Sequence, residues 1–321
     1  MGNPHSDRDS SSTAASPCMS WQDVAKREFC EIPSRTPHIL DKLLRKLAAL
    51  QTSQFVPYLE PTFVMAFLRV NKFNEEKAIE TYQRFFRLRT IDPAYYYPIN
   101  RGSLCYKPVL DNDIAFILSK KNPRDGSTVV VATFEFFEPS RWHNLQEMYT
   151  PMALQVLMLL RDPEVQVRGF RMVVDLKKFS FKYIRYVPTS LAKVMGESSS
   201  GAMPVTIRGV HVINEPVWYQ VLMKMIAPFL TDGESVTQTH GNDLASLHRI
   251  IDRSILPKEF GGAQGSVVFE TQVMEEFYAR DKEILAASRF GYKLSDTGKT
   301  WQSTSKTDDR RGSSESSNSL N

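Results

Sequence analysis

Three β-branched runs spaced by helical segments constrain this chain more than any other feature. They are TVVVATFEFF (128–137), RGFRMVVDL (168–176) and TIRGVHVIN (206–214), the first preceded by the turn NPRDGS. Helical spacing marks TPMALQVLMLLR (150–161), 180–196 and 216–230. Strand–helix–strand alternation predicts an α/β fold, with a mostly parallel or mixed sheet and helices packed on it. Side chains alternate along a strand. Phe170, Met172 and Val174 therefore share one face, and Arg171, Val173 and Asp175 the other. By the same count Val205, Ile207 and Gly209 oppose Thr206, Arg208 and Val210.

Upstream the pattern is helical. After Pro37, a stripe of Ile39, Leu40, Leu43, Leu44 and Leu47 marks one helix. Phe63, Val64, Phe67 and Leu68 mark a second. Asn74, followed by two glutamates and an apolar run, reads as the cap of a third that carries Ile79, Tyr82, Phe86 and Arg89. Residues 21–100 are thus expected to form an N-terminal helical bundle, 101–265 the α/β domain, and 266–295 a C-terminal helix over 270–288. The segments 1–20 and 296–321, rich in Ser, Thr, Asp and Gly, bury too little apolar surface to order and are expected to be disordered tails. The odd, scattered Cys18, Cys30 and Cys105 fit a reducing compartment. With no secretory signal at residues 1–18 and no apolar run long enough to span a bilayer, the expected address is cytoplasmic. A net charge of +4 gives no argument for nucleic acid.

Catalytic patterns are missing. There is no Walker loop, G-x-S-x-G or H-E-x-x-H. EFGGAQG (259–265) reads as a terminating turn, His240 and His248 as turn residues, and Asp111 with Asp113 as solvated carboxylates. No metal or cofactor is expected.

The segment INEPVWYQVLMKMIAPFL (213–230) is apolar almost all round. On a wheel, Val217, Trp218, Val221, Leu222, Met225, Ile226, Phe229 and Leu230 form one wide face, extended by Tyr219 and Met223. Such a helix is either buried core or a lid over an apolar cavity. Nearby, Met152, Gln155, Val156 and Leu159 share a stripe. Apolar walls with few polar groups are what a lipophilic ligand requires. Gln155 is the candidate anchor for a ligand hydroxyl or carbonyl, or else bonds a nearby backbone carbonyl.

These segments resemble the CRAL-TRIO lipid-binding family. FLRVNKFNEEKAIETYQRFFRLR (67–89) is similar to its helical N-terminal part. RGFRMVVDLKKFSF (168–181), RGVHVINEPVWYQVLMKMIAPFL (208–230), HGND (240–243) and ILPKEFGG (255–262) resemble successive blocks of its lipid-binding domain. GVHVINEP with HGN is especially similar to the tocopherol-transfer and retinaldehyde-binding branch. The resemblance implies a CRAL-TRIO type fold, in which a mixed sheet and flanking helices enclose an apolar pocket under a lid helix. It implies that the lid matches 216–230. It places pocket positions at Met152, Gln155, Val156, Leu159, Phe170, Met172, Val174, Phe179, Val187, Met203, Val205, Ile207 and Val210, the last on resemblance alone. From the lid, Val217, Val221, Leu222 and Met225 would face the ligand. Trp218, Tyr219, Met223, Ile226, Phe229 and Leu230 would complete the lid.

Arg208 matches a residue that binds phosphoinositide headgroups in that branch, whereas Thr206 replaces a basic one and 231–241 holds no Lys or Arg. Over 161–208, nine basic residues face four acidic ones, and Lys178, Lys182 and Arg185 share a predicted helical side. The expected function is a monomeric carrier of a hydrophobic small molecule or lipid (tocopherol-, retinoid- or phosphoinositide-like) that transiently meets an anionic membrane surface. A phosphoinositide-sensing adaptor is the alternative, and a lipid-modifying enzyme the third reading.

Overall fold

Capping chemistry starts the helices where the pattern places them. A computed structural model describes residues 19–93, 100–110, 115–134, 146–226, 236–265 and 271–293. Helices α1 (Trp21–Phe29), α2 (Thr36–Ala48), α3 (Pro61–Val70) and α4 (Glu75–Ile91) form the helical block. Glu60 caps α3 by accepting from the Thr62 and Phe63 amides, with Pro61 in the first turn, where its missing N–H is harmless. Asn74 caps α4 by accepting from Lys77 N at 3.0 Å. Leu43, Leu47, Phe67, Tyr82 and Phe85 are fully buried between these helices. Their rings meet edge to face, as between Phe63 and Phe67 at 5.1 Å. Arg89 is buried rather than wet: its guanidinium donates to Ser288 O at 2.7 Å and Tyr292 O at 3.1 Å.

Strand β1 (Phe55–Val56) pairs antiparallel with β7 (Gly291–Tyr292), so the last described strand closes onto the helical block. Between them lie α5 (Lys107–Leu110), β2 (Ala115–Ile117), β3 (Thr128–Thr133), α6 (Gln146–Leu159), α7 (Pro163–Arg168), β4 (Phe170–Asp175), α8 (Thr189–Glu197), β5 (Ile207–Ile213), α9 (Tyr219–Ile226), β6 (Thr237–Thr239), α10 (Leu244–His248), α11 (Thr271–Ala279) and α12 (Asp281–Ala287). The sheet runs β2-β3-β4-β5-β6, antiparallel at β2–β3 and parallel elsewhere. One face packs on α6 and the helical block, the other on residues 244–260 through Val129, Val131, Val173, Leu247, Ile251 and Phe260. Gly169, at φ 73°, turns α7 into β4, and a Cβ there would stand 2.3 Å from Thr206 O.

Four helical expectations are corrected. The 180–196 segment is not one helix: a 3₁₀ turn covers Phe181–Tyr186 and α8 starts at Thr189. Pro188 imposes the break, holding Val187 extended at ψ 99°. Within the described residues, the 216–230 helix starts only at Tyr219, because Pro216–Trp218 form a turn closed by Tyr219 N to Pro216 O at 2.8 Å. The 270–288 helix divides at Arg280, which leaves helical geometry where the Asp281 carboxylate accepts from Leu104 N at 2.8 Å. Helix α6 begins four residues before Thr150 and so takes Pro151 into its interior.

Candidate functional site

The apolar face of the sheet carries two joined clusters of side chains. The first gathers Met152, Val156 and Leu159 of α6 with Phe170, Met172, Met203, Val205 and Ile207. The second gathers Val174 and Val210 with Phe179, Val187, Trp218, Tyr219 and Met223. Tyr149 of α6 packs against both. Phe179 lies at the centre of the second cluster, with ring centroids 4.4 Å from Phe134 and 5.4 Å from Trp218.

Val210 reaches this face through a break in the strand's alternation. Phe170 is opposite Ile207, but the next pair is Arg171 with Gly209. The extra residue is a β-bulge at Arg208, and it reverses the parity of everything after it. Val210 then pairs with Met172, and Val212 with Val174. The unbroken count of Val205, Ile207 and Gly209 against Val210 is therefore wrong from Gly209 onward. Val212 and Tyr149 joined the cluster unforeseen. The glycine inside a strand pattern was the available sign, since such glycines mark bulges.

Helix α9 is orientated differently from its wheel. Val217 and Val221, expected to face inward, are exposed, while Tyr219 is buried and Trp218 and Met223 pack inward. The late start of the helix causes this, since Val217 sits in the turn rather than on the helix. The side chains of Leu222, Met225 and Ile226, all of Phe229 and Leu230, and the pair Asp111 and Asp113, lie outside the described residues. Phe181 is also exposed and sits edge-on to Trp218 at 5.7 Å.

The turn into α9 is fixed by the residues of NEP and HGN. Asn214 adopts φ 53°, which asparagine tolerates, and donates to Asp175 Oδ1 at 2.8 Å. Both Glu215 oxygens accept from Gly241 N, at 3.0 and 2.9 Å.

His240 is not a surface turn residue. It is buried and continues a chain from the opposite sheet face. Asp125 accepts from Arg171 Nε at 2.8 Å, and Arg171 Nη1 lies 3.3 Å from His211 Nε2. His211 Nδ1 lies 3.1 Å from His240 Nε2, and His240 Nδ1 lies 2.6 Å from Ser246 Oγ, which donates to Asp243 O. One proton order satisfies every atom: both rings neutral, each with hydrogen on Nδ1. Burial, then the charge of Arg171, pushes His211 down to about 4. Burial also lowers His240.

The basic residues divide into two places. Lys178, Lys182 and Arg185 are exposed beyond the carboxyl end of β4. The last two lie three apart in the 3₁₀ turn and so share a side. Arg208 lies at the opposite end of the sheet. It pairs with Glu28 at 2.8 Å and donates to the carbonyls of Arg168 and Val167. Strand length separates the two groups by roughly 20 Å, so Arg208 and the Lys178, Lys182 and Arg185 group cannot contact one headgroup together. Among the described residues, no His, Cys, Asp or Glu cluster could hold a metal ion, and no helix is long and apolar enough to cross a membrane.

A helical block followed by a five-stranded mixed sheet, one face apolar and bordered by a partly exposed helix, defines an α/β domain. Residues 112–262 match the CRAL/TRIO domain, and the chain carries that domain. It is 28% identical over 204 residues to Clavesin-1 of Rattus norvegicus, covering 63% of this chain and 57% of that one. It is 31% identical over 217 residues to Alpha-tocopherol transfer protein-like of Homo sapiens, covering 65% and 60%. The chain thus spans under two thirds of these relatives. The crystal structure of Sfh5 superposes with a TM-score of 0.47 at 12% identity, covering 82% of this chain and 98% of that one.

Proposed function

We propose that this protein binds a hydrophobic small molecule or lipid against the apolar sheet face and carries it between membranes, with α9 as the moving cover. The observation that carries this reading is the division of apolar surface around α9. Trp218, Tyr219 and Met223 pack inward, while Val217, Val221 and Phe181 face solvent. Burying a valine or phenylalanine side chain yields about 1.5–3 kcal/mol, so an exposed trio is a surface seeking cover. Lys178, Lys182 and Arg185 stand on the segment that carries Phe181. Each basic residue at an anionic leaflet adds about 1 kcal/mol. A bilayer satisfies both features together. The domain match and the tocopherol-transfer-like relative support the ligand class. The role proposed is binding and exchange rather than catalysis, in the cytoplasm and transiently at membranes, as a monomer.

The test is transfer of a fluorescent lipophile between vesicles containing anionic lipid. Val217→Asp with Val221→Asp is expected to slow transfer about tenfold or more while leaving the folded spectrum unchanged. Unchanged transfer would remove α9 from the mechanism. Stoichiometric binding without transfer would favour the adaptor, and turnover of the lipid an enzyme.

A further inference from the structure

Helix α6 buries a polar atom that has no partner among the described residues. Gln155 is 1% exposed, and among the described residues its Oε1 has no hydrogen-bond partner. It lies three residues after Met152 and four before Leu159, so the three are neighbours along one side of α6. Met152 and Leu159 both belong to the apolar cluster on the sheet. An amide oxygen only accepts, and a buried acceptor without a donor is costly.

We infer that Gln155 Oε1 receives a hydroxyl of the bound lipophile, so the ligand is an alcohol or phenol. This rests on the pocket reading above and narrows it. A hydrocarbon or an ester brings no donor to this oxygen. A carboxylate or phosphate head would set its charge against a carbonyl dipole of the same sign. A hydroxyl meets the oxygen without bringing charge into an apolar site, and its selectivity arises because the competing ligand leaves the buried acceptor unpaired.

Delipidated full-length protein is titrated with retinol and with its methyl ether, matched apolar probes that differ by one donor, followed by quenching of tryptophan emission. The native protein is expected to bind the alcohol about tenfold more tightly, on the scale of one neutral hydrogen bond. Gln155→Leu is expected to bind both within about twofold. It should also raise the unfolding temperature of ligand-free protein, because it removes an unpaired polar atom from an apolar setting. Equal affinities in the native protein, or a preference that survives in Gln155→Leu, would overturn the hydroxyl contact while leaving the carrier reading intact. A lowered unfolding temperature would show the amide bonded within the protein, with the same consequence. Binding of neither probe would overturn the hydroxyl contact, while the carrier reading stands or falls on the vesicle transfer.

Discussion

His211 shows how much one residue's setting depends on distant chain. Its two ring nitrogens face Arg171 and His240, and Asp125 offsets part of the charge of Arg171. Around His240 stand Glu215 and Asp243, which raise its pKa, and Arg249, which lowers it. Proton gain by His211 would place an N–H against the guanidinium, so the folded protein keeps this ring neutral until the pH falls to about 4. The unfolded chain takes the proton near 6.5. This depressed histidine therefore contributes its full stability above pH 6.5 and loses it progressively on descent to about 4, a loss on the order of 3 kcal/mol. Urea unfolding between pH 7.5 and 4.5 is expected to show a shallower decline for His211→Gln than for the native chain. Identical slopes would refute the assignment. None of this was legible beforehand, because Asp125, Arg171, His211 and His240 gain meaning only once parallel strands stand side by side.

At the scale of elements, periodicity revealed which segments are helices and which are strands, but not how each is phased. Leu43 and Leu47, or Phe63 and Phe67, repeat at helical spacing and are buried as that spacing requires. The strand residues Phe170, Met172 and Val174 likewise lie on the expected apolar face. Alternation failed where one residue was added, at Arg208, and the wheel failed where Pro216 delayed α9 by a turn. The resemblance supplied Val210 where counting could not. Gly209 secures the bulge: a Cβ there would stand 2.8 Å from His211 Nε2 and 3.0 Å from Arg171 Nη1. Gly209→Val is therefore expected to destabilise the protein by about 1–3 kcal/mol, through overpacking and the displaced histidine chain. A change under about 0.5 kcal/mol in denaturant unfolding would contradict this.

Across the whole molecule, buried polar ties join the helical block to both the sheet domain and the C-terminal segment. Arg69 of α3 pairs with Glu31 at 2.8 Å and donates to Gln166 of α7 at 2.6 Å. Gln166 in turn donates to Thr62 O at 2.9 Å. At the other end, Lys293 N donates to Gln54 O at 2.8 Å, and Phe290 meets the Tyr58 ring at 4.8 Å. Ending the chain after Ala287 is expected to cost on the order of 3 kcal/mol, since buried Arg89 loses two carbonyl acceptors and β1 its partner. Hydrogen exchange should then quicken across α4, and unchanged protection there would argue against the tie. The β1–β7 pairing also sets a timetable for birth on the ribosome. Phe55 and Tyr292 are 237 residues apart (292 − 55), so at roughly 5–20 residues per second β1 emerges about 12–47 s before its partner does. Throughout that interval the nascent helical block is an unfinished surface, and chaperones have their longest opportunity there.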